Sequence, residues 1–181
     1  MTYTPTPPHR IELVEADGHW SLIFHREFPQ APDSVWSALT DPDELREWAP
    51  YSADRAMDKP GPVTLLMAGA DGSTELPGEI SIAERPTLLE FTWGGDPIRW
   101  ELSPRGSGTA LRLTQRIPAP GAAAMIAAGW HICLDVAEYL LAGSPIGPIV
   151  GAAAMDHGWS DLNIGYSQQL GIEPMDPPNA G

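Results

Sequence analysis

The sequence predicts an α+β domain in which an antiparallel sheet of about six strands packs against one long helix near the C-terminus. Stretches of alternating apolar residues recur between residues 19 and 117, as expected for half-buried strands. Two short helical stretches, each beginning with a proline, interrupt this series after its first strand. The longest helical pattern follows at about 122–142, and a chain of 181 residues can bury a substantial core as one domain.

The first predicted strand, 19–28, has the period of two that is typical of a strand with one buried face. That face carries Trp20, Leu22, Phe24, Arg26 and Phe28. Arg26 is the unexpected member, because a guanidinium on an inward face needs a carboxylate or a ligand acceptor. We leave two interpretations open. Arg26 either anchors a ligand in a cavity, or it lies near the strand end and reaches a surface partner or solvent.

The two short helices are predicted from their start signals. Pro32 fits the first turn of one helix, where its missing N–H costs nothing. Asp41 caps the other helix with Pro42 just inside it, and Glu44 three residues on completes a capping-box pattern. Trp48 belongs to the buried side of this second helix. We expect its ring at one end of the molecule's interior, either closing a cavity or lining it.

Five further strands are predicted at 62–69, 78–84, 87–93, 97–103 and 109–117. Turn residues separate most of them, including Asp71-Gly72, Gly94-Gly95 and the segment 105–108. Short turns of this kind join neighbouring strands, so the sheet is expected to be antiparallel. On the last strand Gln115 interrupts an otherwise apolar face, where it could orient a ligand or lie where the sheet opens to water.

The long helix is predicted to lie on the sheet with one apolar side. That side carries Ile126, Gly129, Cys133, Val136 and Leu140, with Trp130 widening it. His131, Asp135 and Glu138 share the polar side, so we expect His131 in solvent and Cys133 in the core. The chain then divides into an extended arm at 1–17, a domain at 18–143, an extension at 144–171 and a flexible tail at 172–181. In the extension Trp159, Leu162 and Tyr166 form a helical apolar stripe, which either packs on the domain, covers the mouth of a cavity or forms a contact with a partner such as a second copy.

Composition limits the classes of function. The net charge is −14, which argues against nucleic-acid binding and against anionic membrane surfaces. Cys133 is the sole cysteine, which suits a reducing cytoplasm, and the apolar stretch 122–134 is too short to span a bilayer. Arginine outnumbers lysine in a chain rich in alanine, glycine and proline, a bias typical of GC-rich bacterial genomes.

Several segments together resemble the SRPBCC superfamily, which includes START lipid carriers, the birch-pollen-allergen fold and polyketide cyclases. They are Ala31-Pro-Asp-Ser-Val-Trp36-Ser-Ala-Leu-Thr40-Asp-Pro42, Glu44-Leu-Arg-Glu-Trp48 and Gly129-Trp130-His-Ile-Cys-Leu134-Asp135. Within it, the chain is most similar to bacterial proteins named after the C-terminal domain of the heat-shock-protein ATPase activator, over about 18–143. The resemblance implies a helix-grip fold, in which a curved sheet wraps the long helix around a cavity.

The chemistry suggested by the residues is binding rather than catalysis. The histidines are scattered, with none at metal-ligand spacing to a carboxylate or to Cys133, so we expect no metal and no cofactor. The leading hypothesis is a cytoplasmic protein that binds a small hydrophobic molecule between sheet and helix. The predicted ligand-binding residues are Phe24, Arg26, Trp48, Met67, Phe91, Trp93, Trp100, Gln115, Ile126 and Trp130.

Two alternatives stay open at this point. A polyketide cyclase-like enzyme would need acid–base groups in the cavity, for which the candidates are His25, Arg26, Glu101 and Gln115. A protein-interaction or co-chaperone-like module would use the extension and the acidic surface, with a homodimer as one form. The chain lacks the separate domain that accompanies the eukaryotic activator, and no segment specifically signals a chaperone partner.

Overall fold

The computed structural model describes residues 3–68 and 74–175. Residues 1–2, 69–73 and 176–181 lie outside this description, and with them the predicted turn Asp71-Gly72 and most of the predicted tail. The described part contains one curved antiparallel sheet in the order β1-β2-β8-β7-β6-β5-β4-β3. Its strands are β1 (Ile11–Ala16), β2 (His19–Phe28), β3 (Tyr51–Ala53), β4 (Gly61–Met67), β5 (Glu75–Glu84), β6 (Leu88–Trp93), β7 (Asp96–Arg105) and β8 (Gly108–Ile117).

The sheet therefore has eight strands where the sequence predicted about six. The additional strands are β1 and β3, both at the edges of the sheet. β1 comes from the predicted N-terminal arm and pairs with β2, with Ile11 opposite Phe24. Glu12 and Glu15 give β1 the polar character of an edge strand, and β3 is only three residues long, so neither shows a clear alternation.

The helices pack against the sheet and against one another. They are α1 (Pro32–Thr40), α2 (Pro42–Leu45), α3 (Ala123–Leu141), α4 (Ala152–Met155) and α5 (Trp159–Leu170), with a 3-10 turn at Pro120–Ala122 before α3. α5 packs on α3, and its residues Trp159, Leu162 and Tyr166 are buried there. The predicted apolar stripe of the extension thus faces the protein's own body.

Local capping explains how α2 starts. The Asp41 carboxylate accepts hydrogen bonds from the backbone N–H groups of Asp43 (2.8 Å) and Glu44 (3.3 Å). The predicted capping box is not completed, because the Glu44 carboxylate accepts from Ser37 Oγ at 2.5 Å instead. α2 ends at Leu45, so Trp48 lies in the turn after the helix rather than on it.

α3 forms the centre of the core. The segment Pro120–Leu141 has 22 residues, longer than the apolar stretch recognised in the sequence, and its length and composition alone would suit a bilayer. However, 61% of its most apolar window is buried inside the protein, as in the core helix of a globular domain. The sheet supplies the other half of this core, with Phe24, Phe91 and Trp100 at most 1% exposed.

Candidate ligand-binding site

An apolar pocket of about 560 Å³ opens beside α3, where the helix, the sheet and the C-terminal extension meet. This volume is in the range of small-molecule sites. None of its lining side chains, within the described residues, carries a charge. The lining comprises Pro50, Trp93, Gln115, Met125, Ile126, Gly129, Trp130, Cys133, Ile149, Val150, Gly151, Ala152, Ala154, Met155 and Trp159.

The floor of the pocket is one stripe of α3, and Gly129 lies in its middle. A Cβ atom placed on Gly129 would meet no neighbouring atom within 4 Å. Glycine in a helix interior costs about 1 kcal/mol relative to alanine. Packing against a neighbour therefore does not explain this glycine, and its effect is to leave the floor of the pocket open.

A hydrogen bond and two indole rings organise the wall that faces the sheet. Gln115 lies on the concave face of β8, in phase with the buried Leu113 and Ile117. Trp130 Nε1 donates to Gln115 Oε1 at 2.6 Å. The Trp93 ring contacts Trp130 edge to face, with centroids 5.8 Å apart. These contacts hold Gln115 and Trp130 in one arrangement at the pocket wall.

The C-terminal extension forms the third wall, from which the sequence predicted no ligand-binding residue. Ile149 and Trp159 are buried against the body, 9% and 5% exposed, and most of segment 149–155 lines the pocket together with residues of α3. Gly158 starts α5 with a φ of +84°, and a Cβ there would lie 2.8 Å from Pro5. The available signal was the run Ile149-Val150 and the stripe beginning at Trp159, but periodicity does not show which surface such residues cover.

Four of the ten predicted ligand-binding residues line this pocket: Trp93, Gln115, Ile126 and Trp130. Phe24, Phe91 and Trp100 lie instead in the filled interior. Met67, on β4, is partly buried and packs against the core. The space between the centre of the sheet and α3 is thus occupied by side chains. The open volume is displaced toward the extension.

Trp48 also lies outside the pocket and closes one end of the interior. Its ring is fully buried and meets Trp100 edge to face, with centroids 6.2 Å apart. Its Nε1 donates to the carbonyl of Ala38 on α1 at 2.9 Å. Trp48 therefore ties α1 to the core rather than lining a cavity.

Cys133 lines the pocket but remains a thiol. Burial raises its pKa to about 12, and no cationic side chain lines the pocket within the described residues. A thiolate nucleophile needs nearby positive charge or another stabilising group. Cys133 accordingly contributes an apolar, polarisable surface.

On another side of α3 lies a buried polar group that we call the Asp135 cluster. It comprises Tyr3, Thr6, His9, Arg26, His131, Asp135, Glu138 and Tyr166. Arg26 is 4% exposed and pairs with the Asp135 carboxylate at 2.7 Å and with Glu138 at 2.5 Å. The inward phase predicted for Arg26 is present, but its partners are carboxylates of α3, and it does not line the pocket.

His131 is fully buried, so the prediction that it lies in solvent was wrong. The outer side of α3 is covered by α5 and by residues 3–9, which come from distant parts of the chain. The Asp135 carboxylate can only accept, so His131 Nε2 carries the hydrogen that faces Asp135 Oδ2 at 3.2 Å. Tyr166 Oη lies 2.7 Å from His131 Nδ1 and accepts the His9 backbone N–H at 3.0 Å.

The same contacts correct the expectation that no histidine lies at metal-ligand spacing to a carboxylate. Ligand atoms of His9, His131 and Asp135 lie within 4.8 Å of one another. However, the Arg26 guanidinium contacts both His9 and Asp135 and supplies the positive charge at this point. The charges of the cluster are therefore paired within the chain, although Arg26 Nε has no hydrogen-bond partner among the described residues, and the cluster holds the N-terminal segment against α3.

The free energy of unfolding is expected to fall as the pH is lowered from about 6.5 to about 4. Burial, together with the Arg26 charge, lowers the pKa of His9 from 6.5 to about 4. In this window the unfolded chain binds a proton that the folded chain does not, so acid favours unfolding.

Asp135 acts at lower pH. Burial alone would raise its pKa, but hydrogen bonds from His131 and Thr6, with the Arg26 charge, hold it below the usual 3.8. Its contribution to stability is present above that value and is lost only as the pH falls further.

Urea unfolding at about pH 7 and about pH 4.5 measures the effect of His9 on the free energy of unfolding. His9→Gln is expected to reduce the difference between the free energies of unfolding at the two pH values. An unchanged difference would contradict the assignment to His9.

The remaining enzyme candidates lie on the other face of the sheet. His25 bonds Glu12 at 2.7 Å, and Glu101 pairs with Arg112 at 3.3 Å on the convex side. Both are separated from the pocket by the sheet itself. Of the four candidates only Gln115 lines the pocket, so the acid–base pair required for a cyclase is not assembled there.

Known structures share this fold across most of the chain. CalU16 from Micromonospora echinospora has a TM-score of 0.64 at 19% identity, covering 90% of this chain and 96% of CalU16. EF2215 from Enterococcus faecalis has a TM-score of 0.67 at 15% identity, covering 90% and 91%. DynU16, a protein from the dynemicin biosynthetic locus, has a TM-score of 0.59 at 23% identity, covering 69% of this chain and 48% of DynU16.

At these identities the similarity concerns the fold alone, and no curated protein matches the chain. The family model is more specific. Residues 29–141, more than half of the chain, match the model described as Activator of Hsp90 ATPase homolog 1-like protein. This segment runs from the end of β2 through the sheet to the last residue of α3. The chain therefore belongs to the Activator of Hsp90 ATPase homolog 1-like family, within the SRPBCC superfamily.

Proposed function

We propose that this protein binds a small hydrophobic molecule in the pocket between α3, the sheet and the C-terminal extension. The observation that supports this most directly is the uncharged pocket of about 560 Å³ whose floor is kept open by Gly129. Apolar walls with few polar groups are the usual composition of such sites. Burial of ligand surface there would be driven by the hydrophobic effect.

Binding at this place predicts a specific effect of filling the floor. Gly129→Leu projects a side chain into open space, and leucine is a good helix former, so we expect a folded protein. A neutral fluorescent probe, N-phenyl-1-naphthylamine, should bind the wild type saturably. Its affinity should fall by about tenfold or more in the variant, because the leucine occupies part of the pocket. Fluorescence titration measures both affinities.

Ala142→Leu is the matched control, because it adds the same side chain at the exposed C-terminal end of the same helix. It should leave the probe's affinity unchanged. Equal affinity of the probe for Gly129→Leu and the wild type would place its binding elsewhere and contradict the proposal.

Gly129→Ala should raise the free energy of unfolding by up to about 1 kcal/mol, because alanine is the better helix former.

A catalytic role at this pocket has less support. Cys133 is the titratable side chain in its lining within the described residues, and burial raises the pKa of this thiol to about 12. Acid–base catalysis near neutral pH needs a group whose pKa lies closer to that pH. The polar Asp135 cluster cannot replace it, because none of its members lines this pocket and its groups hydrogen-bond one another on another side of α3.

A further inference from the structure

The orientation of Gln115 is determined by its neighbour. The indole Nε1 of Trp130 can only donate, so the Gln115 atom 2.6 Å away must be the carbonyl oxygen. The amide nitrogen then carries two hydrogens on the other side. Within residues 3–68 and 74–175 this nitrogen has no hydrogen-bond partner. Because Gln115 lines the pocket, its amide can donate a hydrogen bond to a ligand there.

The charge of the lining restricts the ligand. No arginine, lysine, aspartate or glutamate lines the pocket within the described chain. A carboxylate, phosphate or ammonium group on the ligand would lose hydration without gaining an opposite charge, which is strongly unfavourable. Arg26, the one arginine that is buried within the described residues, is already paired with Asp135 and Glu138. The pocket thus favours a neutral molecule.

The side chains of the walls favour an aromatic ligand. Trp93, Trp130 and Trp159 line the pocket from three different elements. Met125 and Met155 add flexible thioethers, which make favourable contacts with aromatic rings. Planar rings gain from such surroundings beyond the area they bury.

We propose, building on the proposed function, that the ligand is a neutral aromatic molecule carrying a hydrogen-bond acceptor such as a carbonyl oxygen. Its rings lie among the tryptophans, and its acceptor takes a hydrogen of the Gln115 amide. The Trp130–Gln115 bond holds the donor in place before binding, which reduces the entropy lost when the ligand binds. Fatty acids, phosphorylated lipids and other charged amphiphiles are poor ligands on this account.

Three naphthalenes of similar size test the ligand class by isothermal titration calorimetry. 2-Acetylnaphthalene has a neutral acceptor, 2-ethylnaphthalene lacks one, and 2-naphthoate is charged. The acetyl compound should bind the wild type about three- to tenfold more tightly than the ethyl compound, as one hydrogen bond allows. The naphthoate should bind most weakly, because nothing in the lining compensates its charge.

Gln115→Glu reverses the polarity of the wall. The carboxylate still accepts from Trp130 Nε1 but has no hydrogen to donate. The preference for the acetyl compound over the ethyl compound should disappear, and the cationic 2-(aminomethyl)naphthalene should gain affinity. Gln168→Glu is the control, since it adds the same charge at an exposed position of α5. It should keep the wild-type order of affinities.

The outcomes separate this inference from the proposed function. If the wild type binds the acetyl and ethyl compounds equally and Gly129→Leu blocks both, the pocket binds ligands but the donor role of Gln115 is overturned. Strongest binding of 2-naphthoate would overturn the neutral class in the same way. If none of the naphthalenes nor N-phenyl-1-naphthylamine binds the wild type, the proposed function itself fails.

Discussion

Asp135→Asn is expected to lower the free energy of unfolding by about 3–5 kcal/mol. The Asp135 carboxylate accepts hydrogen bonds from Tyr3 Oη at 2.9 Å and Thr6 Oγ1 at 2.8 Å, and it pairs with Arg26 at 2.7 Å. An asparagine of nearly the same shape carries no charge. It would leave the buried guanidinium balanced only by Glu138, whose side chain is 40% exposed. Uncompensated buried charge is among the largest single-residue losses known in proteins.

Urea unfolding followed by circular dichroism measures the effect, with Asp58→Asn as the control. Asp58 is exposed, and the same change there should alter the unfolding free energy by no more than about 0.5 kcal/mol. Limited proteolysis adds a second readout, because Asp135 holds the N-terminal segment through Tyr3 and Thr6. Cleavage within residues 3–9 should therefore be faster in Asp135→Asn than in the wild type. An unchanged free energy of unfolding would contradict the prediction, because it would mean that other groups compensate the Arg26 charge without Asp135.

Trp48→Ala is expected to destabilise the protein by about 3–5 kcal/mol while leaving the affinity for N-phenyl-1-naphthylamine unchanged. The indole is fully buried, so its removal leaves a cavity between α1 and Trp100. The ring does not line the pocket, so its removal should not change the affinity for the probe.

Trp48→Phe separates packing from hydrogen bonding. It keeps an aromatic ring but loses the bond to the Ala38 carbonyl, for which we expect about 1–3 kcal/mol of destabilisation. Chemical denaturation and probe titration on the two variants give the two quantities independently. A loss of probe affinity in Trp48→Ala with little change in stability would instead identify Trp48 as part of a cavity wall.

The strands could be predicted well because their signal is local. β2, β6 and β8 have the bounds that alternation and turn glycines indicated, within one residue at each end. The start of α2 at Asp41 was likewise evident from side chains close in sequence. β1 was not recognised as a strand, because its place at the sheet edge depends on pairing with β2 and its polar residues hide the period.

The candidate site was only partly predictable, and His131 shows why. Helical phase correctly separated His131 and Asp135 from the apolar stripe, but it could not show that Tyr3, Thr6 and Tyr166 cover that side. These contacts join residues more than a hundred positions apart or on a later helix. Similarly, Gln115 was recognised as unusual on its face, while its pairing with Trp130 needed both elements in place.

The sequence by itself determined the α+β class, most of the strands and the long core helix, which depend on backbone periodicity, capping and turn geometry set within a few neighbouring residues. It also determined the family, through the resemblance of particular segments within residues 29–141. The tertiary structure decided which aromatic rings fill the interior and which line the pocket, with Trp48 and Trp130 as the contrasting cases. It also decided that the C-terminal extension forms a pocket wall. These features arise from packing between segments distant in sequence, whose relative placement no local pattern encodes.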